Sequence, residues 1–168
     1  FDGNRIVSGS YDATMLIWDA LSGMQLRSTV HPCSIVAVGW SICNDKVVSA
    51  SADGTTRLWD ADTCLLLGSF DGERCMRDNT AAVAWSPDGK LIASSASGSL
   101  ELFDSKTAQP LQSLGTFVTC CWSPDSGLIV AGNLTSVQIF DVESGELNLI
   151  LDTSVPLGIC VDSLCWSP

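Results

Sequence analysis

The sequence predicts an all-β fold: a β-propeller of four-stranded antiparallel blades, with about four blades' worth of strands. Three observations carry this. Twelve residues recur as near-copies, SGSYDATMLIWD at 8–19 and SASADGTTRLWD at 49–60. Two ladders of aromatic residues run through the 168-residue chain at a common period. Between the rungs lie short apolar runs separated by turn residues. A unit this small cannot bury its apolar faces alone, so neighbouring units must stack to share a core.

The first ladder is an aromatic residue followed by Asp: Trp18-Asp19, Trp59-Asp60, Phe103-Asp104 and Phe140-Asp141, in steps of 41, 44 and 37 residues. The second is Trp-Ser at Trp40, Trp85, Trp122 and Trp166, in steps of 45, 37 and 44. From Trp-Ser to the next aromatic-Asp takes 19, 18 and 18 residues, while the return leg varies from 19 to 26. One half of the unit is fixed in length and the other carries loops, whose backbone runs over the surface and tolerates insertion.

Within the unit, SIVAVGWS, DKVVSAS, TTRLWD and LLLGSF are runs of six to eight residues rich in Val, Ile, Leu and Trp. Turns separate the runs along the chain: Ser22-Gly23, Asp53-Gly54, Pro87-Asp88-Gly89, Pro124-Asp125-Ser126-Gly127 and Ser144-Gly145. Gly, Asn and Asp reverse the chain cheaply because they tolerate positive φ. No run keeps a helical period, and strands at this spacing indicate all-β structure. Four antiparallel strands per ~40 residues make one sheet, and radial repetition of such sheets gives a propeller.

Composition narrows the function classes. Apolar residues make up 46% of the chain and charged residues 16%, which excludes a disordered polyelectrolyte. No run of ~18 apolar residues occurs, so no helical membrane span is expected. No signal-peptide pattern opens the chain, and Phe1-Asp2-Gly3 reads as a start inside a domain. Net charge is −11, from 8 basic and 19 acidic residues, so a basic footprint for direct nucleic-acid contact is missing. Eight cysteines occur without a C-x-x-C and with a single histidine, so no zinc spacing is present and no cofactor is expected. The adjacent Cys120 and Cys121 point to opposite faces of a strand and do not converge on a metal. The cysteines read as small, mostly buried thiols of an intracellular protein, cytoplasmic or nuclear. The sequon Asn133-Leu134-Thr135 matters only in a secreted protein.

The aromatic-Asp ends, the WSPDG turn and the ~40-residue period together resemble the WD-repeat family, and the resemblance covers essentially the whole chain. By that pattern residues 1–168 form a propeller or a propeller segment. Its repeats are 1–30 (partial), 31–70, 71–114, 115–151 and 152–168 (partial). Strands b, c and d of one repeat fall at 4–30, full repeats at 34–70, 80–114 and 116–151, and a lone strand a at 160–166, sixteen strands in all. Two arrangements fit the ends. Strand a at the C-terminus closes a four-bladed ring by pairing with the first strand, or the chain is a slice of a larger propeller of about seven blades.

The same resemblance implies a hydrogen-bonded lock in which Asp accepts from His, His from the Ser hydroxyl, and Ser from the indole N–H. The matching residues are His31, Ser49, Asp53 and Trp59, with Ser8, Asp12 and Trp18 in the first repeat. The later repeats depart from it. SSASGSLELFD (94–104) lacks the turn Asp and carries Phe103, while AGNLTSVQIFD (131–141) lacks Ser, Asp and Trp together, and both are one residue shorter at the turn. The copied residues of the opening comparison are therefore read as structural. A Ser–His–Asp trio also invites a hydrolase reading, but Ser49 is expected inside a sheet, and no G-x-S-x-G elbow or phosphate loop occurs.

Function is then expected on the propeller's faces and loops. Top-face positions implied by the resemblance are Ser34 and Val36, Asn79 and Ala81, Thr116 and Val118, Cys160 and Asp162, with Tyr11 and Ala52 before the turn Asp. Tyr11 is the best anchor, since tyrosine gives rigid amphipathic contact. In DGERCMRDNT (71–80), Arg74 and Arg77 offer guanidinium forks that suit a carboxylate or phosphate on a partner, or pair with Asp71, Glu73 or Asp78. The connection LDTSVPLGICVDS (151–163) is apolar and is expected to pack. The reading is a non-catalytic scaffold that binds other proteins or peptides, without a membrane or a small-molecule substrate. The alternatives are a subunit of an RNA-processing or chromatin-associated complex and, third, an enzyme on a propeller scaffold.

Overall fold

The structure is a computed structural model that describes residues 3–43, 45–71, 81–96, 98–133, 135–151, 161 and 163–167. Those residues carry fifteen strands and no helix. The first sheet holds β1 (Arg5–Gly9), β2 (Thr14–Asp19) and β3 (Gln25–Val30). The second holds β4 (Ile35–Trp40), β5 (Lys46–Ser51), β6 (Thr55–Asp60) and β7 (Leu66–Asp71). The third holds β8 (Val83–Trp85), β9 (Leu91–Ser94), β10 (Leu100–Asp104) and β11 (Pro110–Gly115). The fourth holds β12 (Thr119–Trp122), β13 (Leu128–Gly132), β14 (Val137–Asp141) and β15 (Leu147–Leu151). Every sheet is an antiparallel meander in chain order, the blade architecture that the 40-residue period implies.

Register explains why the aromatic ladders exist. Trp59 pairs with Val47, Trp18 with Ile6, Phe103 with Ile92 and Phe140 with Ile129. These pairs put each aromatic ring and its aliphatic partner on the same face of their sheet. The core is accordingly split into three slabs between neighbouring sheets. Met15 and Ile17 of the first sheet meet Val47 and Trp59 of the second. Val48, Leu58 and Phe70 of the second meet Ile92 and Phe103 of the third. Ala93, Leu100 and Leu102 of the third meet Trp122, Ile129 and Phe140 of the fourth. Ring pairs tie the last two slabs, Phe70–Phe103 at 4.2 Å between centroids and Phe117–Phe140 at 5.6 Å edge-on.

The Asp that follows each strand-c aromatic has a local task. Asp19, Asp60, Asp104 and Asp141 each accept from the amide and hydroxyl of the residue three positions on: Ser22, Thr63, Thr107 and Ser144. Those bonds close the turn and hold the four carboxyls below the usual carboxylate range. The Ser of Trp-Ser works likewise. Ser86 and Ser123 donate to Asp88 and Asp125 and accept the amides of Leu91 and Leu128. Ser41 does the same with Asp45 and Lys46.

The strand expected at 160–166 is a correction. Residues 163–167 form no strand, β1 pairs only with β2, and the closed four-bladed ring is not the observed arrangement among the described residues. A segment becomes a strand only by sharing a ladder, and this one reaches the fourth sheet through side chains. A Cβ placed on Gly132 would meet Val161 and Leu164, just as one on Gly9 would meet Ile35 and Val38 of β4. Trp166 donates to the Cys121 carbonyl at 3.2 Å, as Trp122 donates to Ala84 at 3.2 Å. Val161 and Leu164 therefore stand to the fourth sheet as Ile35 and Val38 of β4 stand to the first.

The strand-a tryptophans also differ from one another. Trp122 has its acceptor on the preceding sheet, whereas the buried indole nitrogens of Trp40 and Trp85 have no hydrogen-bond partner among the described residues. Replacing either indole by a phenyl ring removes similar volume, but only Trp122→Phe also breaks a bond. Trp122→Phe is expected to cost about 1 kcal/mol more than Trp85→Phe in urea unfolding, and equal losses would contradict this bookkeeping.

Candidate functional site

The second blade contains the polar cluster. Ser49 on β5 lies opposite Arg57 on β6, and Arg57, two residues before Trp59, shares its face. Trp59 Nε1 donates to Ser49 Oγ at 2.8 Å, and Ser49 Oγ lies 3.2 Å from His31 Nε2. The far ring nitrogen, His31 Nδ1, is 3.3 Å from the Arg57 guanidinium, which also donates to Asp53 Oδ2 at 3.1 Å. The imidazole also lies against the indole, with ring centroids 4.9 Å apart.

This geometry corrects the expected lock. Asp53 does not accept from His31; Arg57 stands between them. Because a guanidinium only donates, Nδ1 must be the accepting nitrogen and the proton sits on Nε2. His31 then donates to Ser49 instead of accepting from it. The Ser49 hydroxyl accepts twice and turns its own hydrogen toward the Arg57 carbonyl, a long contact of 3.5 Å. Asp53 is engaged at its turn, accepting from the Thr55 amide at 2.9 Å and hydroxyl at 2.6 Å. Burial alone would raise the Asp53 pKa, but the Thr55 and Arg57 bonds outweigh it and bring it down to about 2. Burial lowers the His31 pKa from 6.5 to about 4, with Arg57 adding and Asp53 opposing, so the ring is neutral at pH 7.

The cluster has no accessible nucleophile. Ser49 is 0% exposed and His31 3%. An oxyanion and substrate would have to reach a hydroxyl sealed between two sheets. In the first blade Trp18 Nε1 donates to Ser8 at 2.9 Å, and Asp12 accepts from Thr14, with no histidine in the described contacts. Ser94 is the third blade's counterpart of Ser49 by register, and its hydroxyl bonds Thr56 of the second blade at 2.6 Å. Asn133 takes the turn position in the fourth blade, accepting from Thr135 and Ser136.

The top-face positions fall into two groups. Tyr11, 69% exposed, sits on the β1–β2 turn, and Ser34 Oγ donates to its carbonyl at 2.9 Å. The Ser34 carbonyl in turn accepts from the Ala52 amide at 2.8 Å, so Tyr11, Ser34 and Ala52 form one patch across two blades. Half-buried Val36 lies on β4, beside the register shift between Ile35 and Ala37. In the second group, exposed Thr116 accepts from Asn133 at 3.2 Å. Val118 bonds Gly132 through its amide. The Val118 carbonyl lies 3.5 Å from Ser95, whose hydroxyl also accepts from Ala82, next to half-buried Ala81. No described hydrogen bond joins the two groups. Arg74, Arg77, Asn79, Cys160, Asp162 and most of the connection 151–163 lie outside the described residues. The opposite rim is acidic: Asp88, Asp104, Asp125, Asp141 and Glu143 line an open cleft of about 460 Å3 with Lys90. Among the described residues no three His, Cys, Asp or Glu side chains gather to hold a metal.

Sequence reasoning missed Arg57. The signal was available: a residue two positions from the strand aromatic must share its face, and Arg57 alone among the four equivalents (Leu16, Arg57, Glu101, Gln138) is a cation.

Two outcomes follow from the cluster. Ser49→Ala strands the indole and imidazole N–H groups in a sealed site, and should cost about 3 kcal/mol in urea unfolding against about 1 kcal/mol for Ser8→Ala in the first blade; equal costs would deny the cluster its role. His31 is a base whose folded pKa lies below its ordinary value, so protonation favours the unfolded chain. The stability it gives is complete above about pH 6.5 and is lost as pH falls toward about 4, up to about 3 kcal/mol. The difference between wild type and His31→Gln should show that slope, and parallel pH profiles would contradict it.

Comparison with known proteins agrees with this geometry. The family description "WD domain, G-beta repeat" matches residues 1–19, 24–60 and 66–104. Among solved structures, the computationally designed Ika8 protein is similar at 28% identity and a TM-score of 0.76, over 90% of this chain and 47% of that one. This chain thus spans about half the length of that designed chain. A comparison with curated proteins returned no match. WD repeats generally mediate protein–protein interactions, and propellers built from them are typically non-catalytic. With matches over more than half its length and sheets in the corresponding order, this chain belongs to the WD-repeat family.

Proposed function

We propose that this chain is a non-catalytic scaffold of an intracellular multiprotein assembly, and that it docks a partner peptide across the patch built by Tyr11, Ser34 and Ala52. The carrying observation is how Tyr11 is presented. The residue is 69% exposed while its backbone is pinned, by the Ser34 hydroxyl from the next blade and by the Asp12–Thr14 turn. A pinned aromatic loses little entropy on binding, and such residues are the usual anchors of protein contacts. The surroundings set the partner's chemistry. Asp12 is exposed beside Tyr11 and its turn bonds hold its carboxyl below the usual range, so it stays charged. With a net charge of −11, the chain favours a partner segment carrying an apolar or aromatic anchor flanked by Lys or Arg.

Tyr11→Ala and Ser34→Lys leave the slabs between sheets untouched, so melting temperatures should stay within a few degrees of wild type. Quantitative affinity capture should then show one set of partners reduced about tenfold or more by both variants. Partners that survive both variants unchanged would move the docking surface elsewhere.

A further inference from the structure

Where two neighbouring sheets meet, on the rim opposite Tyr11, a groove runs between them, and the chain lines its three grooves differently. Ile17, Leu58 and Leu102, each just before the aromatic of its strand, face the next sheet. Their partners on the outer strand are Arg27, Gly68 and Gln112. The residues paired with the Asp after each aromatic are Arg5, Lys46 and Leu91. The first groove therefore has two guanidinium groups where the others have an ammonium and a glycine, or a leucine and an amide. The second is shut: Lys46 donates to the Ser105 carbonyl at 3.4 Å, and a Cβ on Gly68 would lie 3.0 Å from Ala108. In the third, Gln112 fills the space of a Cβ on Gly145, and Leu91 borders the acidic cleft described above.

The first groove stays open, with a cavity of about 110 Å3 lined by Arg5, Ile17, Leu26, Arg27, Ala61 and Asp62. Its walls are the first and second sheets, both within the chain. Exposed Arg27 is held by main chain: Nε donates to the Asp62 carbonyl at 2.6 Å and Nη1 to the Leu26 carbonyl at 2.7 Å. Among the described residues no carboxylate lies within ion-pair distance of Arg27. Its charge is positioned without being neutralised. Arg5, by contrast, pairs with the Asp62 carboxylate at 2.8 Å and lies over the Trp40 ring at 5.0 Å, which offsets the Asp62 charge. Asp60, on the same turn, accepts from Thr63.

We propose that the groove between the first and second sheets binds a carboxylate side chain of an acidic partner segment, with Arg27 as the fork that reads it. A guanidinium has five N–H donors in one plane. Two carbonyls take one from Nε and one from Nη1, so the edge between Nη1 and Nη2 is left for a bidentate grip. Ile17, Leu26 and Ala61 give the methylenes of a glutamate an apolar wall. The space is far below the ~300 Å3 or more of a small-molecule pocket, so it suits one side chain and not a cofactor. A phosphate fits less well, because its second charge would face Asp62 and Asp60 with one open guanidinium to balance it. The chain's net charge of −11 repels an acidic segment at other places, which fixes the register of binding here. The site is separate from the Tyr11 patch: β1 starts at Arg5 on this rim and ends at the turn that carries Tyr11.

The test is an NMR titration of the 168-residue chain with the capped peptide acetyl-Ala-Leu-Glu-Leu-Ala-amide and with counterparts carrying Gln or phosphoserine in place of Glu. The Glu peptide should shift the Arg27 Nε–H and Asp62 amide signals with a Kd below about 10 mM, and the Gln peptide should bind about tenfold more weakly. Arg27→Gln should lose the binding, and Arg27→Lys, which keeps the charge without the fork, should recover only part of it. Asp62→Asn should tighten binding about threefold, since it removes a repelling carboxylate and keeps the carbonyl that holds Arg27. The Arg27 and Asp62 side chains are exposed, so the variants should fold, and circular dichroism checks that. Tyr11→Ala should bind the Glu peptide as wild type does. No saturable shift below about 10 mM, equal binding of the Glu and Gln peptides, or wild-type affinity in Arg27→Gln would overturn the site. Tighter binding of the phosphoserine peptide than of the Glu peptide would overturn the carboxylate assignment.

Discussion

Each sheet in this chain has two apolar faces, and both must be kept from water. A lone four-stranded sheet of ~40 residues cannot do that, because no second layer covers it. The solution here is serial: every interior sheet lends its rear face to the next and receives the previous one on its front. The fully buried side chains Ile17, Val47, Ile92 and Ile129 sit in those contacts. Cooperativity follows, since a sheet cannot open without exposing the faces of two neighbours.

Polar groups then adjust this stack. Among the described residues, only the second blade has indole, hydroxyl, imidazole, guanidinium and carboxylate in one continuous arrangement. The third spends its equivalent serine on a bond to Thr56 across the slab, and the fourth has Ala131 there. The second, third and fourth blades keep one strand order and bury Val47, Ile92 and Ile129 alike despite that divergence. Hydrogen bonding of this kind adds about 1 kcal/mol per bond and punishes an unpaired group more, so it refines order that burial has created. The exposed rim positions contribute little to the slabs, which leaves Tyr11 and its neighbours available for contact.

Much of the architecture was legible in the residues because aromatic and aliphatic side chains mark the packed positions. Trp18, Trp59, Phe103 and Phe140 announced the period, and the turn pairs placed the reversals. The one-residue shortening of two turns was also visible, and register bears it out: Trp59 pairs twelve positions back, Phe103 and Phe140 eleven. What could not be read were choices that depend on side-chain reach. The resemblance pairs His31 with Asp53, yet Arg57 comes between them because a long cation directly opposite Ser49 fills the gap. The lone C-terminal strand was misread because sequence reports a strand's propensity, and only a ladder partner makes one.

Native-state hydrogen exchange tests most directly whether the slabs between sheets, and not the polar cluster of one blade, hold the fold. The slab account predicts that amides of β5, β9 and β13, at the centres of the second, third and fourth sheets, exchange together through one slow opening. It predicts that amides of the outer strands β3 and β15 exchange far sooner. Persistent protection in β5 alone, after β9 and β13 have fully exchanged, would contradict it and give the fold to the cluster around His31.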